Sequence, residues 1–294
     1  MTSPAKTWLQ LLRAPNLFTV AGDPLAGFVL ASGGFLRPAV LPALGASLAL
    51  YAAGLLLNDL CDLAEDRAER PQRPLPSGAV EPGVVRSVAL GLFLAGNACA
   101  LSLGTQATLL AIALTAAIVA YNVAAKRIVG LGSLVMGLCR GLSLLLGASA
   151  AGAATAPGAL LAAGLVTLYI ACVTNLARYE THAGAPAWAR ALPLAALALG
   201  LVAFVARGGP GWYYPGPATL ALAVAFVALE TRRLFQAQPP PLPPVIGSLI
   251  RVLLILQAAF CLMQRPGWPA FLCALALLGL WPVSRAVSRK FYAS

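Results

Sequence analysis

The segment from Asn58 to Gly78 reads NDLCDLAEDRAERPQRPLPSG and holds Asp59, Asp62, Glu65, Asp66 and Glu69, more than half of the chain's nine acidic residues. Asp59, Asp62 and Asp66 stand at i, i+3 and i+7. On a helix that advances about 100° per residue, their carboxylates fall within about 60° of one another and form one acidic face. Glu65 points about 120° away from Asp59 on the same wheel and stays outside that face. Three crowded carboxylates repel one another unless cations intervene, and a cluster of oxygen donors suits Mg²⁺, which keeps several waters and bridges to phosphate oxygens. Pro71 and Pro74 then stop the helix, so Arg70 and Arg73 fall on a loop able to fold back over the face. An ordinary solvated loop would explain acids at a helix end. It does not explain their scarcity elsewhere, their shared face, or the Arg and Pro that follow at once.

The elements that must position this face are membrane helices. The chain of 294 residues is 60% hydrophobic and only 10% charged, with a mean hydropathy of +0.84, which excludes a soluble globular domain. A helical span needs about 20 largely apolar residues. Such runs lie at 16–35, 38–58, 83–104, 106–124, 131–153, 157–177, 187–206, 215–231, 245–264 and 268–284. They are continuous, rich in Leu, Ala and Gly, and lack the alternating polarity of a membrane β-barrel. The expected fold is therefore all-α, a polytopic transmembrane bundle in one domain over residues 1–294. Cys61, Cys99, Cys139, Cys172, Cys261 and Cys273 are scattered singly and read as packing residues. The first apolar run has no small-residue cleavage site after it and is expected to stay.

Basic residues set the expected orientation, because cytoplasmic loops keep an excess of Lys and Arg. Most of the chain's 20 Lys and Arg fall at one set of span ends. The opposite ends carry only Arg37, Arg207 and Arg265, while Arg140 and Arg251 fall inside spans. Trp212, Tyr213, Tyr214 and Trp268 flank those opposite ends, as interfacial aromatics do. The net charge of +11 then belongs to loops lying against anionic lipid headgroups, and nucleic acid need not be invoked. Segments 58–82, 121–130 and 175–190 hold most of the ionisable side chains, so a site should open to the cytoplasm. Pro239 to Pro244 reads as a stiff polyproline connector. The Ala, Gly, Pro and Arg bias points to a GC-rich bacterial genome and an inner-membrane location.

NDLCDLAED followed by RPQRPLPSG resembles the first aspartate-rich motif of the UbiA superfamily of intramembrane prenyltransferases, NDxxDxxxD with its RPLxSG-type loop. Tyr121, Asn122, Lys126 and Arg127 resemble that family's YxxxxKR segment, and Arg13, Ala14, Pro15 and Asn16 its entry into the first helix. The resemblance covers about the first 180 residues. It implies about nine transmembrane helices around a central cavity, and Mg²⁺ bridging two aspartate-rich motifs to an allylic prenyl diphosphate. It also implies a lateral apolar channel for the isoprenoid tail. The implied reaction ionises the allylic C–O bond, and an acceptor captures the carbocation. Asp59, Asp62 and Asp66 then bind metal, with Asn58 beside them. Lys126, Arg127, Arg70 and Arg73 are candidate cations for the departing pyrophosphate, whose charge must be neutralised before it leaves.

The chain departs from the family where the second motif is expected. Thr174 to Gly184 reads TNLARYETHAG and has no aspartate. Asn175 and Glu180 could each offer an oxygen to a metal, Arg178 could pair with diphosphate, and His182, the chain's single histidine, could ligate a metal or move a proton. Arg140, in MGLCRGLSLLLG, costs about 2.5 kcal/mol or more to insert at mid-span and marks a functional site by default. Its expected partners are Glu180, the aspartates or the diphosphate. Arg251 sits nearer a span end and is expected to snorkel or to pair with a helix carbonyl. The Arg140 string together with NLARYETHAG resembles a divergent branch that includes the EboC-type proteins. An alternative to catalysis is a silent protein of the same fold that binds or carries an isoprenoid-linked metabolite. A secondary transporter would need ionisable residues near the midplane, where only Arg140 fits. The DGxxAR…GxxxDxxxD pattern of CDP-alcohol phosphotransferases is absent.

Overall fold

The structure, a computed structural model, describes residues 4–180, 184–207, 215–263 and 267–290. His182, Trp212, Tyr213, Tyr214 and Arg265 lie outside the described residues, as do the side chains of Arg289 and Lys290. Among the described residues the chain is entirely helical. A short α1 (Pro4–Leu11) leads into α2 (Ala14–Ala31) and α3 (Val40–Cys61), and α4 (Leu63–Glu69) continues directly from α3. The remaining helices are α5 (Pro82–Leu101), α6 (Thr105–Val123), α7 (Leu131–Ala150), α8 (Pro157–Ala177), α9 (Ala187–Arg207), α10 (Pro215–Leu234), α11 (Leu242–Cys261) and α12 (Trp268–Lys290).

The ten longer helices coincide with the ten apolar runs, and eight of them are long and apolar enough to cross a membrane. This is an integral membrane protein. The other two, α2 and α10, fall short of the expected nine or ten for a compositional reason. Asn16, Asp23 and two prolines interrupt α2, and Glu230, Arg232 and Arg233 crowd the end of α10. Each long helix packs on its neighbour in sequence, and α12 closes the circuit onto α2. The long helices thus run up and down around a ring. The loops holding the aspartates, Lys126, Glu180 and Pro240 all fall at one end of it.

Two helices cross the interior. α2 packs against α3, α7, α8, α11 and α12. α11 is almost wholly enclosed, and Tyr169 of α8 donates its hydroxyl to the Leu249 carbonyl at 2.8 Å. Small residues allow these close approaches. A Cβ on Gly147 of α7 would overlap the Pro24 carbonyl of α2, and one on Gly27 of α2 would overlap the Leu144 carbonyl of α7. A Cβ on Gly137 would likewise overlap the Thr167 carbonyl of α8. α7 is therefore held between α2 and α8 by backbone contact of the small-residue kind used in membranes. Pro243 and Pro244 sit in the first turn of α11, where a missing N–H costs nothing, so the expected polyproline connector ends at Pro241.

Candidate functional site

The acidic face forms where α3 breaks and restarts. Asp62 leaves helical geometry (φ −94°, ψ 0°), yet the i to i−4 ladder continues through it, from Asp62 N–H to Asn58 and from Asp66 N–H to Asp62. Asp59, Asp62 and Asp66 each hold their own cation, and Asp59 and Asp66 line one cavity while Asp62 turns to Lys126. Arg13 lies 3.6 Å from Asp59. Lys126 donates to Asp62 in a short ion pair and reaches the Asn58 amide oxygen at 3.4 Å. Arg73 donates Nη1 to both oxygens of Asp66 at 2.9 Å.

Local sequence explains each cation's reach. After Glu69 the chain leaves the helix, and the turns of RPQRPLPSG carry Arg73 back over Asp66, which is buried. Lys126 sits on a single 3₁₀ turn (Ala125–Arg127) between α6 and α7, with Gly130 (φ 80°) making the sharp entry to α7. Arg127, on the same turn, points outward and is exposed. Arg13 caps α2 with left-handed backbone (φ 43°, ψ 56°), which is held by no other non-glycine among the described residues. Such a conformation costs on the order of 1–3 kcal/mol and persists only where the surroundings enforce it.

Arg13 is the residue that sequence reasoning left without a role, and it borders all three principal cavities. The first, of about 120 Å³, lies between α2, α3, α6 and α7. Leu55, Leu114, Ile118 and Met136 make its apolar wall, with Asn58, Tyr121 and Asn122 among its polar groups. The second, of about 170 Å³, is polar and contains Asp59, Asp66, Gln72 and Arg73. The third, of about 860 Å³, opens between α2, α10, α11 and α12. α2 is the partition between the first and third. The left-handed backbone was the missing signal: nothing in RAPN announces it.

Arg140 is buried in α7, and its partner differs from those expected. It pairs through Nε with Asp23 of α2 at 2.7 Å and donates Nη2 to the Thr19 carbonyl at 2.7 Å. Gln257 of α11 donates to the other Asp23 oxygen at 2.6 Å. A fully buried carboxylate on the facing helix answers the buried guanidinium before any residue at the bundle's end can. Arg140 still lines the first cavity, beside Asn58 and Arg13.

The stretch after α8 is spread out. Arg178 is exposed at the helix end and lines none of these three cavities. Asn175 has a buried amide nitrogen without a partner among the described residues. Glu180 borders the third cavity with Arg70, and partial burial pushes its carboxyl above the usual range against the pull of Arg70. Of the two outcomes expected for Arg251, snorkelling or pairing with a helix carbonyl, the second is not seen among the described residues. The side chain turns into the third cavity and donates Nη2 to the Ser248 hydroxyl at 3.2 Å.

The donor set is all oxygen, which suits Mg²⁺. Among the described residues no three Asp, Glu, His or Cys converge on one point. Asp59 and Asp66 do share the second cavity, and Mg²⁺ characteristically takes one or two carboxylates and fills its octahedron with water and phosphate. The residues fit that ion and would leave most of its coordination to a phosphorylated ligand.

A sequence profile of the UbiA prenyltransferase family matches residues 24–240. A digeranylgeranylglyceryl phosphate synthase of Methanoculleus marisnigri is 30% identical over 145 residues, covering 49% of this chain and 52% of that protein. The synthase of Saccharolobus solfataricus is 28% identical over 144 residues, 48% of this chain and 51% of that one. The chain thus spans about half the length of the curated relatives it matches. Among solved structures, a homologue from Aeropyrum pernix superposes with a TM-score of 0.67 at 20% identity, over 84% of this chain and 97% of that one. One from Archaeoglobus fulgidus, bound to GPP and Mg²⁺, gives 0.63 at 16% identity over 93% and 99%. At these identities the likeness is one of fold.

Proposed function

Because the chain belongs to the UbiA prenyltransferase family, we propose that it transfers an isoprenyl group from an allylic prenyl diphosphate to an acceptor, with Mg²⁺ as cofactor. The observation that carries this reading is the three carboxylates of Asp59, Asp62 and Asp66, each already holding a cation, next to an apolar chamber that Asn58 and Arg13 border. Asp59, Asp62 and Asp66, with Asn58, would hold the metal. Bound there, Mg²⁺ would neutralise charge developing on the leaving pyrophosphate. Arg73 and Lys126, released from Asp66 and Asp62, would turn to the diphosphate oxygens and fix the leaving group in place. Arg13 would do the same from the α2 side. The apolar wall of the first cavity would take the isoprenoid tail, away from water that would quench a carbocation.

Arg140 lines the tail chamber and would act on diphosphate only by leaving Asp23; Arg178, Asn175 and Glu180 would join through movement of the segment after α8. The strings around Arg140 and Asn175 support membership of the divergent EboC-like branch. The excess of Lys and Arg at the site's end of the bundle supports a cytoplasmic opening in a bacterial inner membrane, with α2 and α10 completing ten spans. A single carboxylate in the second motif favours the alternative, a silent binder or carrier. Pyrophosphate release separates the two: purified protein given geranylgeranyl diphosphate, Mg²⁺ and a membrane extract as acceptor source should release it, and Asp62→Asn should not. Release unchanged in Asp62→Asn would remove the aspartates from the mechanism.

A further inference from the structure

Three leucines tie the charged residues around the aspartates to one apolar contact. Leu11 ends α1 two residues before Arg13, Leu75 lies two residues after Arg73, and Leu56 lies about one turn of α3 before Asp59. All three are buried, at 2% exposure or less, and they pack with Val85 and Ala89 of α5 in a cluster separate from the two larger cores. α1 has the pattern this contact requires: Thr7 and Leu11 are buried and Trp8 packs against the cluster, while Lys6 and Leu9 are exposed. A helix of eight residues is marginal in water by itself, so its order comes from that packing. Leu11 and Pro15, both buried, pin the chain on either side of the left-handed turn at Arg13. The loop is equally compact. Backbone bonds from Arg73 N–H to Arg70, Ser77 N–H to Arg73, Gly78 N–H to Leu75 and Ala79 N–H to Pro74 fold residues 70–79 into consecutive turns, which join Leu75 to Arg73 in one piece.

We propose that Leu11, Leu56 and Leu75 are positioning residues: through their contact α1 and the loop 70–79 form one cap, and the cap holds Arg13 and Arg73 against Asp59 and Asp66. The second cavity lies under this cap, where Leu11 and Leu75 border the same space as the two arginines and the two aspartates. A partly exposed ion pair gains little by itself and loses side-chain entropy, whereas burial of three leucines is a strong contact that needs no exact geometry. Each arginine so placed meets an anionic ligand without a further ordering cost. On the prenyltransferase reading, on which only the ligand's identity rests, that ligand is the diphosphate.

The test compares two buried leucines in the full chain in neutral detergent. Leu75→Ala removes the contact in the cap, and Leu220→Ala removes a fully buried side chain near the far end of α10. Both should lower the melting temperature. Only Leu75→Ala should weaken the apparent affinity for inorganic pyrophosphate with Mg²⁺, read from thermal stabilisation, by about tenfold or more, the loss expected for one charge-assisted hydrogen bond. Leu75→Met, which keeps the volume, should restore it. Leu11→Ala should repeat the loss from the α1 side and reports where Leu75→Ala fails to fold. A second readout needs no ligand. Gln10→Cys with Gln72→Cys puts one thiol on each part of the cap beside the second cavity. With Cys61→Ser to silence the neighbouring native thiol, the two should cross-link through a short bifunctional maleimide. Cross-linking should fall several-fold in Leu75→Ala and hold in Leu220→Ala. A lower melting temperature in Leu75→Ala with affinity and cross-linking unchanged, or equal losses of both in Leu220→Ala, would overturn the proposal. A wild type that ignores pyrophosphate while cross-linking still falls only in the cap variants would sink the prenyltransferase reading and leave the cap standing.

Discussion

Asp23 and Arg140 face each other inside the bundle, and what replaces them shows which of two costs dominates. Removing one partner of a buried ion pair leaves an uncompensated charge, which costs about 3–5 kcal/mol, whereas replacing both with apolar groups is often close to neutral. Arg140→Leu should therefore destabilise the protein by about that amount, and Asp23→Leu with Arg140→Leu should recover most of it in detergent unfolding. Equal loss in the single and double variants would show that the pair is not the unit. The sequence made Arg140 conspicuous and left Asp23 invisible, because a lone acid in an apolar run has no spacing to betray it. The aspartates were legible for the opposite reason: i, i+3, i+7 is a geometric statement, and the kink at Asp62 leaves Asp59 and Asp66 on one cavity with Asp62 turned to Lys126. Their cations were half legible. Arg73 and Lys126 were expected there, while Arg13 reaches Asp59 only through a left-handed turn.

At the scale of helices, the ends came from composition and the contacts did not. Continuous apolar runs fix where a helix must cross lipid, so the ten long helices begin and end close to the expected places. Which helix lies inside is a matter of side-chain size, and α2, the shortest of the ten and interrupted by Asp23 and Pro24, is the partition between two cavities. Gly147 permits that by letting the backbones of α2 and α7 touch. Gly147→Leu should force them apart and destabilise the protein by about 1–3 kcal/mol, the range for overpacking a tight contact. Gly91→Leu, at a position with open space around it, should be silent by the same unfolding measurement. If both variants behave alike, the approach of α2 to α7 does not constrain the fold. The proline stretch illustrates how a local signal misleads: Pro243 and Pro244 look like a linker and in fact open α11.

For the whole molecule, the ring of helices brings three cavities to one end, and Arg13 touches all of them. An apolar chamber, a cleft holding Asp59 and Asp66 with Arg13 and Arg73, and a basin lined by several arginines meet there. The central claim is the proposal that the aspartates of 59–66 bind prenyl diphosphate through Mg²⁺, with Asp62 among the ligands. Thermal stability with geranyl, farnesyl and geranylgeranyl diphosphates, each with and without Mg²⁺, tests it most directly. A donor at a hundredfold excess over its Kd should stabilise the wild type by about 2.7 kcal/mol when Mg²⁺ is present. It should do almost nothing with chelator, or in Asp62→Asn with Mg²⁺. Stabilisation by every donor that is indifferent to Mg²⁺ and unchanged in Asp62→Asn would contradict the account.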